Sequence, residues 1–84
     1  MEQTETLLSA PELLGYLMKT VAAANRRFAR QRIYSMEYYG GKHIWIRRRD
    51  YAFAGWTDIT PRDTRVTGAN LKQAIEDLRK DIEE

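Results

Sequence analysis

Hydrophobic positions recur along this chain with two different periods, and the change of period divides it into a helix, a strand block and a second helix. At 100° per residue, Leu14, Leu17, Val21, Ala24 and Phe28 share one face. Lys19, Arg26 and Arg30 fall almost opposite, with Ala22 and Ala23 between them and Arg27 on the flank. That arrangement predicts a helix with one face in a core. Its start is written as Ser9-Ala10-Pro11-Glu12, a capping box with proline in the first turn, and Leu8 and Leu13 have the spacing of a hydrophobic staple. Residues 1–8 read as a frayed lead-in. The helix is expected to run to about Arg30, weakened only at Gly15, by about 1 kcal/mol.

The period then shortens to two. Tyr34, Met36 and Tyr38 alternate with Ser35, Glu37 and Tyr39, and beyond Gly40-Gly41 the residues Ile44 and Ile46 alternate with His43, Trp45 and Arg47. Gly-Gly supplies the positive φ that tight hairpins need. A two-residue loop would put Tyr34, Met36 and Tyr38 on the face of Trp45 and Arg47. A three-residue loop would put them with Ile44 and Ile46, leaving Ser35, Glu37, His43, Trp45 and Arg47 outside. The second register gathers apolar residues on one side, as a half-buried sheet requires, and it is the one preferred. Arg49-Asp50 reads as the next turn and Tyr51–Thr57 as a third strand, with a bulge at Gly55.

Residues 58–66 read as loop, with Thr60-Pro61-Arg62-Asp63 as a type I turn. Thr67 can cap a final helix in which Leu71, Ile75, Leu78 and Ile82 form a narrow stripe beside Ala74. Two helices with one apolar stripe each, and a sheet with one apolar face, predict a single α+β domain over residues 1–84. Its order is α-β-β-β-α, a three-stranded antiparallel sheet with both helices packed on one face.

Charge changes the picture more than composition does. Residues 16–49 carry nine Lys and Arg against one acid, Glu37, whereas residues 1–15 carry three acids and no base. A basic block of this kind favours a polyanionic partner, RNA or DNA, or a protein with an acidic surface. Its members are Lys19, Arg26, Arg27, Arg30, Arg32, Lys42, Arg47, Arg48 and Arg49. The absence of cysteine excludes disulfides and thiolate zinc sites. No apolar run is long enough to span a membrane, and the acidic, polar N-terminus is unlike a secretory signal, so a cytoplasmic setting in a bacterial or infected host cell is expected.

On the sheet face left open by the helices, Trp45 and Arg47 are the side-chain types that stack bases and hold phosphates. The same face would equally serve as a homodimer seam. His43 is the one histidine, so no multi-histidine metal site exists and no cofactor is expected. As a general acid or base it would need a phosphate clamp, which Lys42, Arg47 and Arg48 would supply.

The order α-β-β-β-α resembles the double-stranded-RNA-binding-domain fold. Within it, Gly40-Gly41-Lys42-His43-Ile44-Trp45 resembles the Gly-Ser-His-His strand opening of the HicA toxins, small bacterial ribonucleases that cleave messenger RNA and are silenced by a HicB antitoxin. Ile59-Thr60-Pro61-Arg62-Asp63, Gly68 and Leu71-Lys72-Gln73-Ala74-Ile75 are similar to that family's Val-Pro-Arg-His loop, Gly-Thr helix start and Leu-Arg-x-Ile-Leu helix. The resemblance implies that His43 is catalytic, that the strand Lys and Arg meet the RNA backbone, and that an antitoxin is a partner. Lys42 stands where that family has a small serine, and Asp63 where it has a second histidine.

Two functions are therefore expected to compete. One is an RNA-binding module, in its catalytic form a HicA-like messenger-RNA-cleaving toxin. The other is a non-catalytic protein-binding inhibitor encoded by a phage or mobile element, acting on a host nucleic-acid-binding or defence complex with Trp45, Trp56 or the arginines as anchors.

Overall fold

The computed structural model describes residues 10–83, so the capping box at Ser9, the Leu8–Leu13 staple and the frayed lead-in lie outside the described residues. The order is helix α1 (Ala10–Arg27), strands β1 (Arg32–Tyr39), β2 (His43–Asp50), β3 (Thr57–Asp58) and β4 (Thr64–Arg65), then helix α2 (Gly68–Glu83). This is the α+β arrangement of two helices and a small antiparallel sheet that the pattern predicts.

Helix α1 stops three residues short of Arg30. The Phe28 carbonyl accepts hydrogen bonds from the N–H groups of Gln31 and Arg32, and this turns the chain into β1. Phe28 itself packs on the edge of the core, with the Arg27 and Arg32 guanidinium carbons 5.0 and 4.6 Å from its ring centre. At the other end of the domain the Thr67 hydroxyl accepts from the Asn70 N–H at 3.1 Å, so Thr67 caps α2 as expected.

The hairpin adopts the three-residue register. Tyr39 pairs with His43, Tyr38 with Ile44, Met36 with Ile46 and Tyr34 with Arg48. Gly40 and Gly41 carry the loop at φ of 63° and 66°, a conformation that side-chain-bearing residues rarely adopt. One face of the sheet therefore presents Tyr34, Ile44 and Ile46 to Leu13, Leu17, Val21 and Ala24 of α1 and to Leu71, Ala74, Ile75 and Leu78 of α2. Leu17, Ile44, Ile46, Leu71 and Leu78 are wholly enclosed, each contributing about 1.5–3 kcal/mol of burial.

The third strand differs from expectation. Strand β2 runs on through Arg49 and Asp50, paired with Ile33 and Arg32, so the turn falls later. Residues 51–55, expected as strand, leave the sheet in a bend closed by Phe53 N–H to Asp50 O at 3.1 Å and by Gly55 at φ 88°. The alternation of Tyr51 and Phe53 with Ala52 and Ala54 meets no opposing apolar surface among the described residues, so it produces exposed side chains instead of strand. The third lane of the sheet is built from the stretch expected as loop: Asp58 and Thr57 pair with Arg47 and Arg48, while Arg65 and Thr64 pair with His43 and Ile44.

Between those two short strands the chain bulges through Thr60 and Pro61. Thr60 repairs the interrupted ladder. Its N–H donates to Ile46 O at 3.1 Å, and its hydroxyl accepts the Ile46 N–H at 2.9 Å in place of the missing carbonyl. On the opposite edge, the Asn25 side chain of α1 accepts the Tyr34 N–H and donates to its carbonyl, so the helix caps the start of β1.

Candidate nucleic-acid interface

Alternation along β2 decides which cations are free. Odd-numbered positions of β2 point away from the helices, so His43, Trp45, Arg47 and Arg49 occupy the open face of the sheet, together with Ser35, Glu37 and Tyr39 from β1. Even-numbered Arg48 points to the helix side. It bonds Asp50 at 3.0 Å and also Asp81 of α2, with only about a fifth of its side chain exposed. Arg32 lies 3.6 Å from Asp50, donates to the Tyr34 hydroxyl, and the hydroxyl in turn donates to Asp81 at 2.7 Å. Arg48 was expected on the binding surface; it is instead part of an ion-pair network that ties α2 to the sheet. Burial first, and then the Asp81 carboxylate, push the Tyr34 hydroxyl above its ordinary pKa, against the opposing pull of Arg32.

The open face centres on Arg47. Its guanidinium donates to Glu37 at 2.9 Å, and its central carbon lies 4.0 Å from the Trp45 ring centre and 4.6 Å from that of Trp56. The pairing explains the geometry: Asp58 sits opposite Arg47, so Trp56 lies two residues further along the neighbouring lane and Trp45 two residues the other way on β2. The Trp45 indole N–H donates to Asp58 at 2.9 Å, which fixes its ring, and Arg62 approaches the same ring at 5.1 Å. Cation and indole contacts of this kind contribute about 0.5–1 kcal/mol each at exposed sites.

At the hairpin end of the same face, Tyr39 stacks on His43 with ring centres 5.5 Å apart. The Tyr39 hydroxyl donates to the Arg62 carbonyl and lies 3.2 Å from the Asp63 carboxylate, which clamps the Pro61-Arg62-Asp63 turn onto the base of the hairpin. Loss of solvent and the Asp63 hydrogen bond both raise the Tyr39 pKa. Arg65 pairs with His43 across the sheet, and Lys42 is exposed at the loop.

The cations predicted from the sequence thus separate into two grounds. Arg47, Arg49 and Lys42 belong to the sheet face and its hairpin, with His43 and Trp45. Lys19 and Arg26 lie opposite the buried stripe of α1, across the helix layer from that face, Arg30 is exposed in the turn that follows α1, and Arg27 covers Phe28. For Lys19 and Arg26 this layering departs from the expectation that helix and hairpin cations would form one connected surface. Arg62, Arg65 and Asp58 were not singled out from the sequence; they reach the site because the 57–65 stretch folds back along β2, which no periodicity announces, whereas Tyr39 reaches it from the end of β1.

A second exposed feature adjoins the face. Tyr51, Phe53 and Trp56 are 56%, 71% and 40% exposed on the bend between β2 and β3. Two shallow grooves lie elsewhere, one of about 330 Å³ between the helices beside Leu13 and Tyr16, the other of about 410 Å³ between α2 and the 60–65 turn. Among the described residues no group of three or more His, Asp and Glu side chains is placed to hold a metal ion, and no helix is long and apolar enough to cross a membrane. No family model, curated protein or solved structure matches the chain.

Proposed function

We propose that this chain is an RNA-binding module that uses the open face of its sheet, with metal-free RNA cleavage of the HicA type as its catalytic form. The observation that carries the reading is the Trp45–Arg47–Trp56 array with Arg62 beside it, indoles and guanidinium groups side by side on the sheet face turned away from the two helices. Aromatic planes accept bases and guanidinium forks accept phosphates, and a small sheet face can present both without a deep pocket. The near neutralisation of Arg47 by Glu37 sets the expected strength: Arg49, Arg62, Arg65 and Lys42, which form no ion pair among the described residues, carry the electrostatic part, so binding is modest and salt-sensitive.

The catalytic form rests on His43. Tyr39 connects the two segments that carry the HicA resemblance, stacking on His43 and holding the Arg62-Asp63 turn. In a metal-free cleavage, His43 would take the proton from a ribose 2′-hydroxyl as that oxygen attacks the adjacent phosphorus to form a 2′,3′-cyclic phosphate, and the P–O5′ bond would break with the 5′-oxygen taking a proton from water. Lys42 and Arg65 are the cations nearest in sequence and pairing to meet the phosphorane charge. A cytoplasmic setting and an antitoxin partner accompany this form of the reading.

The test is RNA binding by the purified chain across a salt series, with cleavage followed on the same strands. The affinity is expected to fall steeply with salt, and His43→Ala to keep binding while losing cleavage. Cleavage that persists in His43→Ala removes the enzymatic form, and an absence of binding at low salt removes the module itself.

One observation favours a second reading, a non-catalytic inhibitor from a phage or mobile element that docks on an acidic protein. Tyr51, Phe53 and Trp56 stand out from the bend beside Arg47 and Arg49, which is the residue composition of interface anchors. A stoichiometric protein complex lost in Phe53→Ser, without affinity for RNA, supports that reading. The same bend would serve a homodimer, which light scattering detects.

A further inference from the structure

The chain has two tryptophans, and both lie against one guanidinium. Their ring centres are 4.0 and 4.6 Å from the same Arg47 carbon, so the two ring centres stand no more than about 9 Å apart, within reach of the roughly 7–8 Å that one flat group held between two rings requires. The two plates are held differently. Trp45 is pinned to Asp58 through its indole N–H, whereas Trp56 is carried at the end of the exposed bend. The guanidinium that both rings contact is anchored to Glu37, which is itself nearly half exposed, and its Nε has no hydrogen-bond partner among the described residues. Arg47 is thus a flat cation held against two indoles, tethered by an ion pair whose Glu37 end is open to water and to a competing phosphate.

We infer that Trp45 and Trp56 form a slot for one unpaired base, and that Arg47 is its removable occupant. The base enters between the indoles while the guanidinium swings from Glu37 to the adjoining phosphate. This inference rests on the nucleic-acid reading above and narrows it to single-stranded ligands, because a base stacked inside a duplex cannot enter a slot between two side chains. Glu37 then acts as the competitor of the phosphate for Arg47. It is a positioning residue for the free state, and its charge works against ligand.

The experiment uses the full chain, with its tryptophan emission as the reporter and the anisotropy of an end-labelled strand as an independent measure of binding. An oligouridylate strand and an RNA duplex of equal length are titrated at low salt. The single strand is expected to bind and to quench the emission, and the duplex to bind more weakly without quenching. Trp56→Ala is expected to weaken single-strand binding about tenfold or more, and Glu37→Gln to tighten it severalfold, with both variants unfolding in urea near the wild-type midpoint. Binding seen by anisotropy with unchanged emission, or equal affinity for duplex and single strand, overturns the slot while leaving the nucleic-acid reading in place. Absence of binding by either ligand overturns both.

Discussion

Thr60→Val isolates the bond that holds the third lane of the sheet in place. Threonine and valine have nearly the same shape, so the substitution keeps the packing of a residue that is 3% exposed and removes only its hydroxyl. That hydroxyl accepts the Ile46 N–H at 2.9 Å, and Ile46 is itself wholly buried. Without it, an enclosed backbone donor loses its partner, at a cost of about 1–3 kcal/mol. A domain of this size has about 5–15 kcal/mol in total, so the loss is large enough to read clearly. In urea the midpoint is expected to drop with an unchanged slope, since the surface exposed on unfolding is the same. On heating, the midpoint is expected to fall by about 4–8 °C for each kcal/mol. The effect extends to function, because the Thr60 bulge positions the Arg62 turn against Trp45 and Tyr39. A variant within about 0.3 kcal/mol of wild type would show that water or a shifted carbonyl satisfies Ile46, and would refute the reasoning.

Three further outcomes are expected. Asp81→Asn should destabilise the fold by about 1–3 kcal/mol in urea, since it removes the charge that accepts from both Arg48 and Tyr34 in a partly buried network. Stability should also fall as pH rises above about 10, because the folded state keeps Tyr34 protonated where the unfolded chain has begun to release that proton. This contribution is complete below the ordinary tyrosine pKa and is lost through the raised one, and in Asp81→Asn, where the carboxylate no longer raises the Tyr34 pKa, the loss should be smaller and end at lower pH. Phe53→Ser should leave stability within about 0.5 kcal/mol, as expected for a side chain that is 71% exposed, measured by the same urea titration.

How far the chain can be read without coordinates follows from where its constraints are local. The hairpin register was legible because Tyr34, Met36, Ile44 and Ile46 must share a buried face, and a one-residue slip would put the β1 pair and the β2 pair on opposite faces. The Thr67 cap and the α2 stripe were legible for the same reason, each being settled within a few residues. The third strand was misplaced because alternation at Tyr51–Ala54 is a necessary sign of strand and not a sufficient one: the helices leave nothing there to pack against. Arg48 looked like its neighbours Arg47 and Arg49, and only the pleat and a carboxylate 33 residues away distinguish it. Of the site, Trp45 and Arg47 could be named from alternation alone. Arg62 and Asp58 could not, since their place depends on a non-periodic stretch folding back along β2.

The central claim is that ligand meets the open sheet face and not the basic side of α1. Amide and indole N–H shifts of the labelled chain, followed by NMR while single-stranded RNA is added at low salt, test it residue by residue. The account predicts that the indole signals of Trp45 and Trp56 and the amides of residues 43–49 and 62–65 move together, with Lys19, Arg26 and Arg30 unmoved. Shifts confined to α1, or a spectrum that does not respond at all, would contradict it.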